Sequence, residues 1–268
     1  MKVREVIEAI LNDSCGDFRL EKTCDLLMSG DPEMEVTGIV TSFMATVDVI
    51  REAAALGANM IITHEPTYFT GADTTGWLQD DLIYLAKKQL IEEHGIAIWR
   101  FHDHMHIGKS DRIYDGLLEE LDWRQYLMEG ERPHAYEIPA MTVGELADFF
   151  KDKLSMDVIR IVGDPAMICQ RVGILVGGGS LGLGREEMPM MFMREREIDV
   201  MVCGEITEWT LCAYVNDASM LGFRKAMIVV GHERTEEWGM KHMAKWLQPL
   251  VPGIPVAFVD AKEPFRYR

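Results

Sequence analysis

Asn59-Met60-Ile61-Ile62-Thr63-His64-Glu65-Pro66 is an apolar run, short enough for a strand, that stops at a His-Glu pair and then a proline. Pro66 rigidifies the turn and bars the strand from continuing. The pattern occurs twice more. Ile96 to Phe101 runs into His102-Asp103-His104-Met105-His106, and Ala226 to Val230 runs into Gly231-His232-Glu233-Arg234-Thr235-Glu236. Three buried strands would each deliver imidazole, with carboxylates close by, at a C-terminal end. In open α/β sheets that edge is where ligands sit, and imidazole with carboxylate suits zinc or another divalent transition metal. The three segments are expected to meet in space as a metal site.

Working outward, Val36 to Phe43 reads as a strand, and Val47, Ile50, Ala54 and Gly57 mark a helix ending at a glycine. With the Met60 to Ile62 strand these make a βαβ unit. Leu82, Leu85, Ala86 and Leu90 give the next helix before the Ile96 to Phe101 strand, so the alternation predicts a largely parallel sheet covered on both faces. Ahead of it, residues 2–13 read as an amphipathic helix and Cys15 to Asp31 as an irregular, turn-rich stretch. From Lys109 to Met141 the pattern loosens, with Pro133, Pro139 and a short helix near Leu117 to Leu121, and a domain boundary is placed there. Thr142 and Glu145 are spaced as a capping box. A second alternation follows: strands at Val158 to Val162, Val172 to Val176, Asp199 to Cys203, Ala226 to Val230 and Val256 to Val259, with helices between all but the first two. The expectation is two α/β lobes, 1–125 and 126–268, with the segment from about 225 to 268 packing back on the first.

The chain of 268 residues is long enough to bury a sizeable core, and 48% hydrophobic with 26% charged content is ordinary for a soluble globular protein. No run approaches the roughly 18 apolar residues of a membrane span. The N-terminus lacks a signal-peptide apolar region, so a cytoplasmic location is the default expectation. A formal net charge of -17 opposes binding to nucleic acid or anionic membranes. The five cysteines, Cys15, Cys24, Cys169, Cys203 and Cys212, are scattered and form no C-x-x-C pair, which reads as buried thiols in a reducing compartment.

His232 and Glu236, four apart at the start of a helix, share one face and can clamp or bridge metal ions. Alone, such a pair is common on solvated helices. His102, His104 and His106 alternate, so a continuing strand would point all three to one side. Five of the eight histidines lie at the ends of three strands; His94, His134 and His242 are assigned no role. Gly177-Gly178-Gly179-Ser180-Leu181-Gly182 matches G-x-G-x-x-G in form, but Asp199 begins a strand, whereas a ribose-binding acid ends one. A tight turn, or a backbone surface for a small anion, is the better reading. The Met188, Met190, Met191, Met193 stretch reads as core or interface. No G-x-S-x-G element or P-loop supports a serine hydrolase or an NTPase.

Together these residues resemble one family, the Nif-three-like proteins, dinuclear-metal proteins often labelled GTP cyclohydrolase I type 2 homologues. Its signature is a strand ending in Thr-His-His-Pro, a strand ending in His-Thr-x-x-Asp, and a late Gly-His-x-x-x-Glu. Here these look like Thr63-His64-Glu65-Pro66, His102 to His106, and Gly231 to Glu236. Val172 to Gly179 and Gly204-Glu205-Ile206 resemble two further family motifs. Two positions depart: Glu65 stands for the second histidine, and His106 for the metal-binding aspartate. The changes offset, so three histidines and two carboxylates remain. The resemblance implies metal ligands His64, Glu65, His106, His232 and Glu236, with His102 and His104 as supporting or alternative ligands. It also implies two divalent ions (zinc, iron or manganese), two α/β lobes with mixed, largely parallel sheets and the metal site in the cleft between them, and toroidal homohexamers.

The function expected is a metal-dependent hydrolase, resembling GTP cyclohydrolase I type 2, acting on a nucleotide or cyclic amide through a metal-activated water. Beyond that water, no catalytic residue is assigned. The alternative from another class is a non-catalytic metal-binding oligomer that serves as scaffold or regulator. An open coordination position beside a pocket separates the two, since catalysis needs one and storage does not.

Overall fold

A computed structural model describes residues 1–130 and 132–268. In chain order the elements are α1 (Val3–Cys15), β1 (Leu27–Ser29), β2 (Ile39–Ser42), α2 (Val47–Ala55), β3 (Met60–Thr63), α3 (Leu82–Glu93), β4 (Ala97–Arg100), α4 (Asp103–Ile107) and α5 (Arg112–Leu121). There follow β5 (Ala135–Thr142), α6 (Val143–Lys153), β6 (Arg160–Val162), β7 (Ile168–Leu175), α7 (Met188–Glu195), β8 (Val200–Cys203), α8 (Ala213–Met220), β9 (Ala226–Val229), α9 (His232–Leu247) and β10 (Val256–Phe258). The chain divides into two compact units. One is Met1–Gly116 with Glu237–Lys262; the other is Leu117–Glu236 with Glu263–Arg268.

The first unit holds a five-stranded sheet in the order β1-β4-β3-β2-β10, parallel except for β1. Every residue of β2, β3 and β4 is buried, as expected of parallel strands covered on both faces. Val40, Ile61 and Ile98 pack with Val49, Ile50 and Ala53 of α2 in one apolar cluster. The Thr46 hydroxyl accepts from the Val49 amide at 3.2 Å and caps α2. Register pairs Ser42 with Thr63 and Thr63 with Arg100, so three strands end at one level.

The second unit holds a sheet in the order β5-β7-β8-β9-β6, with β7, β8 and β9 parallel and the two edges antiparallel. Here too the ends align: Leu175 pairs with Cys203, and Cys203 with Val229. Met193 of the Met-rich helix is buried in the core with Ile198, Met201 and Val215. The capping box at α6 forms: Glu145 N donates to Thr142 Oγ1 at 3.1 Å, and Thr142 N to Glu145 Oε2 at 2.7 Å. No helix among the described residues is long and apolar enough to cross a membrane.

Three stretches differ from expectation. The loose span before Met141 contains β5, an edge strand whose register slips between Glu137 and Met141 around Pro139. An edge tolerates proline, and the slip breaks the alternation that would have shown the strand. The irregular Cys15 to Asp31 stretch contains β1, three residues with a register shift against β4. The strand expected to carry His102 to His106 ends at Arg100, and α4 replaces it.

Helices α5 and α9 touch through glycines. A Cβ on Gly116 would overlap the Trp238 carbonyl oxygen and lie 2.6 Å from Gly239 Cα, and one on Gly239 would lie 2.7 Å from Ile113 Cα. Backbone cannot yield as a flexible side chain can. Gly116→Ala is therefore expected to destabilise the fold by about 1–3 kcal/mol despite its better helix propensity; urea unfolding gives the difference, and a stabilised variant would refute the close approach.

Candidate metal centre

His64 is the first residue past β3 and is fully buried. The amides of His64 and Glu65 both donate to Phe43 O, at 3.1 and 2.8 Å, which turns the chain sharply beyond the last rung of the ladder. The His64 ring is oriented by its Nδ1, 3.2 Å from Phe101 O. A carbonyl oxygen only accepts, so Nδ1 carries the proton and Nε2 of the neutral ring is a lone-pair donor.

The His102 to His106 segment is helical because of a residue almost eighty positions away. The Asp25 carboxylate accepts the amides of His102 at 2.8 Å, Asp103 at 2.7 Å and His104 at 3.0 Å. A carboxylate on free amides at a helix start is electrostatically favoured, and it starts α4. In a helical turn residues four apart share a face. His102 and His106 therefore come together, with ring centroids 5.1 Å apart, and both rings lie against His64, at 4.5 and 4.9 Å. His104 faces elsewhere: its Nδ1 is 2.7 Å from Asp25 Oδ2 and its Nε2 accepts from Leu20 N at 3.0 Å. Both His104 nitrogens are engaged away from the cluster, so it acts through Asp25 as a structural residue, and the expected alternation of three histidines on one strand face is replaced by a pair on one helix face.

The cluster of His64, His102 and His106 can bring one nitrogen from each ring within 4.8 Å of the others. His106 Nδ1 lies 3.0 Å from Asp111 Oδ2, and His106 Nε2 lies 3.2 Å from His64 Nε2. With both Nδ1 atoms on oxygen acceptors, the two Nε2 atoms of neutral rings would meet lone pair to lone pair. That contact is repulsive unless a proton or a cation is shared. His102 Nδ1 is 3.0 Å from Asp103 Oδ1, and its Nε2 is 3.6 Å from Glu65 Oε1. Burial by itself would push the Asp103 carboxyl up. The Cys24 amide, His102, the Thr23 hydroxyl and the Cys24 thiol outweigh it and hold the group well below the usual carboxylate range. Burial pushes the Cys24 thiol up to about 12, so it is no thiolate at neutral pH.

The second unit gathers its own group, again past three aligned strand ends. His232 and Glu236 lie on the first turns of α9, with His232 Nε2 2.9 Å from Glu236 Oε2. Glu205, just after β8, places Oε1 3.1 Å from His232 Nδ1. Gly177, just after β7, approaches so closely that a Cβ there would overlap the Glu236 carboxylate. The Gly177 amide donates to Thr235 Oγ1 at 3.0 Å, so the Gly-rich stretch is a tight turn fastened to α9.

A model of the Duf34/NIF3 (NGG1p interacting factor 3) family matches residues 1–264. The chain belongs to the DUF34/NIF3 family. It is 24% identical to a Clostridium perfringens "GTP cyclohydrolase 1 type 2 homolog" over 100% of both chains. A Clostridium acetobutylicum protein of the same name is 28% identical over 83% of this chain and 80% of its own. Among solved structures it is similar to a Bacillus cereus protein related to NIF3, at TM-score 0.76 and 17% identity over 100% of this chain and 99% of that one. A Staphylococcus aureus hypothetical protein gives TM-score 0.74 and 21% identity over the same shares. The mixed α/β architecture of two helix-flanked sheets is thus a DUF34/NIF3 fold.

In this DUF34/NIF3 chain, then, His64, Glu65, His102 and His106 are gathered in the first unit, and His232 and Glu236 in the second. The His102 ring, of a residue expected as a supporting or alternative ligand, lies as close to His64 as that of His106 does. Glu205, in the Gly204-Glu205-Ile206 match, is a site residue beyond those expected, and its place just after β8 is the signal that marks it. Asp25, Asp111 and Arg100 carried no local signal, since each acts across the fold.

The loop after Glu65 is braced by buried charge. Asp73 accepts the amides of Thr67 and Tyr68 at 2.7 and 2.5 Å, and Lys87 Nζ donates to Thr67 O at 2.6 Å. Burial pushes the Lys87 amine from 10.5 down to about 8, against the opposing pull of Asp73. Between those values the unfolded chain holds more protons than the folded one, so stability should rise with pH across that window. Relative to Lys87→Met, the wild type should gain stability between about pH 7.5 and about pH 9.5 in urea unfolding; a flat difference would mean an exposed amine.

Gly177→Ala tests the second group. Its φ of +49° would cost an alanine about 1–2 kcal/mol, and the new methyl would displace Glu236 and His232. Zinc binding, followed by calorimetric titration, should weaken tenfold or more with the far-ultraviolet circular dichroism unchanged.

Proposed function

We propose that this protein is a divalent-metal-dependent hydrolase whose metal ligands are His64, Glu65, His106 and His102 in the first unit and His232 and Glu236 in the second. The observation that carries the reading is the facing pair of Nε2 atoms on His64 and His106, with each Nδ1 already committed to an oxygen. A donor set of imidazole and carboxylate fits zinc, iron or manganese, and the resemblance to the family implies two ions and a homohexamer. Bound ions supply Lewis acidity that polarises a substrate carbonyl or a water.

The chain's own residues prepare that chemistry. Phe101 O, Asp111, Asp103 and Glu205 each take up the distal nitrogen of one ring, at 3.2, 3.0, 3.0 and 3.1 Å, and so set its orientation and, where carboxylate, its basicity. The name shared by the relatives, GTP cyclohydrolase 1 type 2 homolog, points to ring-opening hydrolysis of a nucleotide or a cyclic amide. With a chain charge of -17, an anionic substrate would depend on the bound cations for its attraction.

Elemental analysis of protein purified without chelator or histidine tag, beside a His64→Ala, His232→Ala variant, tests the reading. About two transition-metal ions per chain are expected, lost in the variant, with metal-dependent turnover in a screen of purine nucleotides and cyclic amides. Wild-type protein that takes up no zinc, iron or manganese on reconstitution would overturn the metal assignment. Full loading with no turnover across the screen would favour the non-catalytic scaffold instead.

A further inference from the structure

Arg100 is the last residue of β4, paired in register with Thr63, the residue before His64. It is 4% exposed, a rare place for a cation. Its guanidinium makes three contacts, all to one corner of the fold. Nε donates to His64 O at 3.2 Å, Nη1 to Gly71 O at 2.6 Å, and Nη2 to Glu65 Oε2 at 3.3 Å. A buried charge is tolerated only when paired and hydrogen-bonded. Glu65 is the paired anion, and its other oxygen, Oε1, faces His102 Nε2.

We propose that Arg100 is a positioning residue of the metal centre, holding the His64 peptide and turning one oxygen of Glu65 toward the imidazole cluster. The inference rests on the metal reading above. His64 is gripped by its amide on Phe43 O, by its ring on Phe101 O and by its carbonyl on Arg100. Removing the third grip frees the peptide to rotate. Glu65 is fixed more directly, because a carboxylate with one oxygen on a buried guanidinium presents the other in a set direction. Glu65 and the guanidinium beside it sum to no net charge in this corner. The fork geometry matters as much as the charge. A lysine ammonium is a point donor and cannot span three acceptors in one plane. A merely structural arginine, serving the loop through Gly71 O, would affect stability and leave the metal untouched.

The test uses the full chain stripped of metal and titrated with zinc, and with cobalt for its visible spectrum. Arg100→Lys should weaken zinc binding by about tenfold or more, the usual effect of losing a residue that orients a ligand, and should shift the cobalt bands. Glu65→Gln, which leaves Arg100 in place, should weaken binding as well. In the Glu65→Gln background, Arg100→Lys should cost less affinity than it does in the wild type, because only the grip on His64 O is then lost. Arg100→Lys protein that binds zinc as the wild type does, with the same cobalt spectrum, would overturn the proposal. So would an undiminished penalty in the Glu65→Gln background, or Glu65→Gln binding unchanged. If Arg100→Lys does not fold, the Glu65→Gln titration alone decides. Failure of the metal reading itself would show first and separately, as a wild-type chain that binds neither zinc nor cobalt, and the proposal would fall with it.

Discussion

The alignment of strand ends is the constraint on which the rest depends. In one unit Ser42, Thr63 and Arg100 close three parallel strands at one level; in the other Leu175, Cys203 and Val229 do the same. A parallel ladder leaves the next residue with no rung, so its backbone must turn and its polar groups must find partners elsewhere. Strands β2, β3, β4, β8 and β9 are buried along their whole length and carry mostly packing. Polar chemistry is thereby forced to the edge, where His64, His102, Gly177, Glu205 and His232 all stand within two residues of a strand end or the turn that follows it.

Carboxylates then give those imidazoles direction. Asp103, Asp111 and Glu205 each sit behind a ring, on the nitrogen away from the cluster or the neighbouring carboxylate. A hydrogen-bonded carboxylate in that place strengthens the other nitrogen as a donor. Part of the chain's excess of acid thus stands behind imidazoles and fixes their orientation. Asp25 acts differently: it holds three amides and turns what would be a strand into α4. Without that turn, His102 and His106 would not share a helix face.

Much of the fold was legible because its signals are local. The apolar runs at Met60, Ile98, Val200 and Met227, the capping box at Thr142, and the glycine closing α2 at Gly57 each depend on residues within a few positions. The misses were non-local or marginal. β5 lies at an edge with Pro139 inside it, and β1 is three residues long. The site divides in the same way. Its histidines were visible as strand-end residues. Their arrangement was not, because α4 depends on Asp25, and Asp111 and Arg100 reach their partners only in the folded chain. His104 illustrates the cost of reading by period alone: alternation put it with His102 and His106, while a helical turn points it to Asp25 and Leu20 N.

The two departures from the family pattern are balanced inside their own contact shells. Glu65 adds a negative charge where the pattern has an imidazole, and Arg100 lies 3.3 Å from it. His106 removes a carboxylate, and Asp111 lies 3.0 Å behind the new ring. Each of the two residues thus has a complementary partner within its own contact shell. Unpaired, a carboxylate at position 65, its side chain 14% exposed, would be costly to bury. Strand β4 supplies a nearly buried guanidinium to meet it.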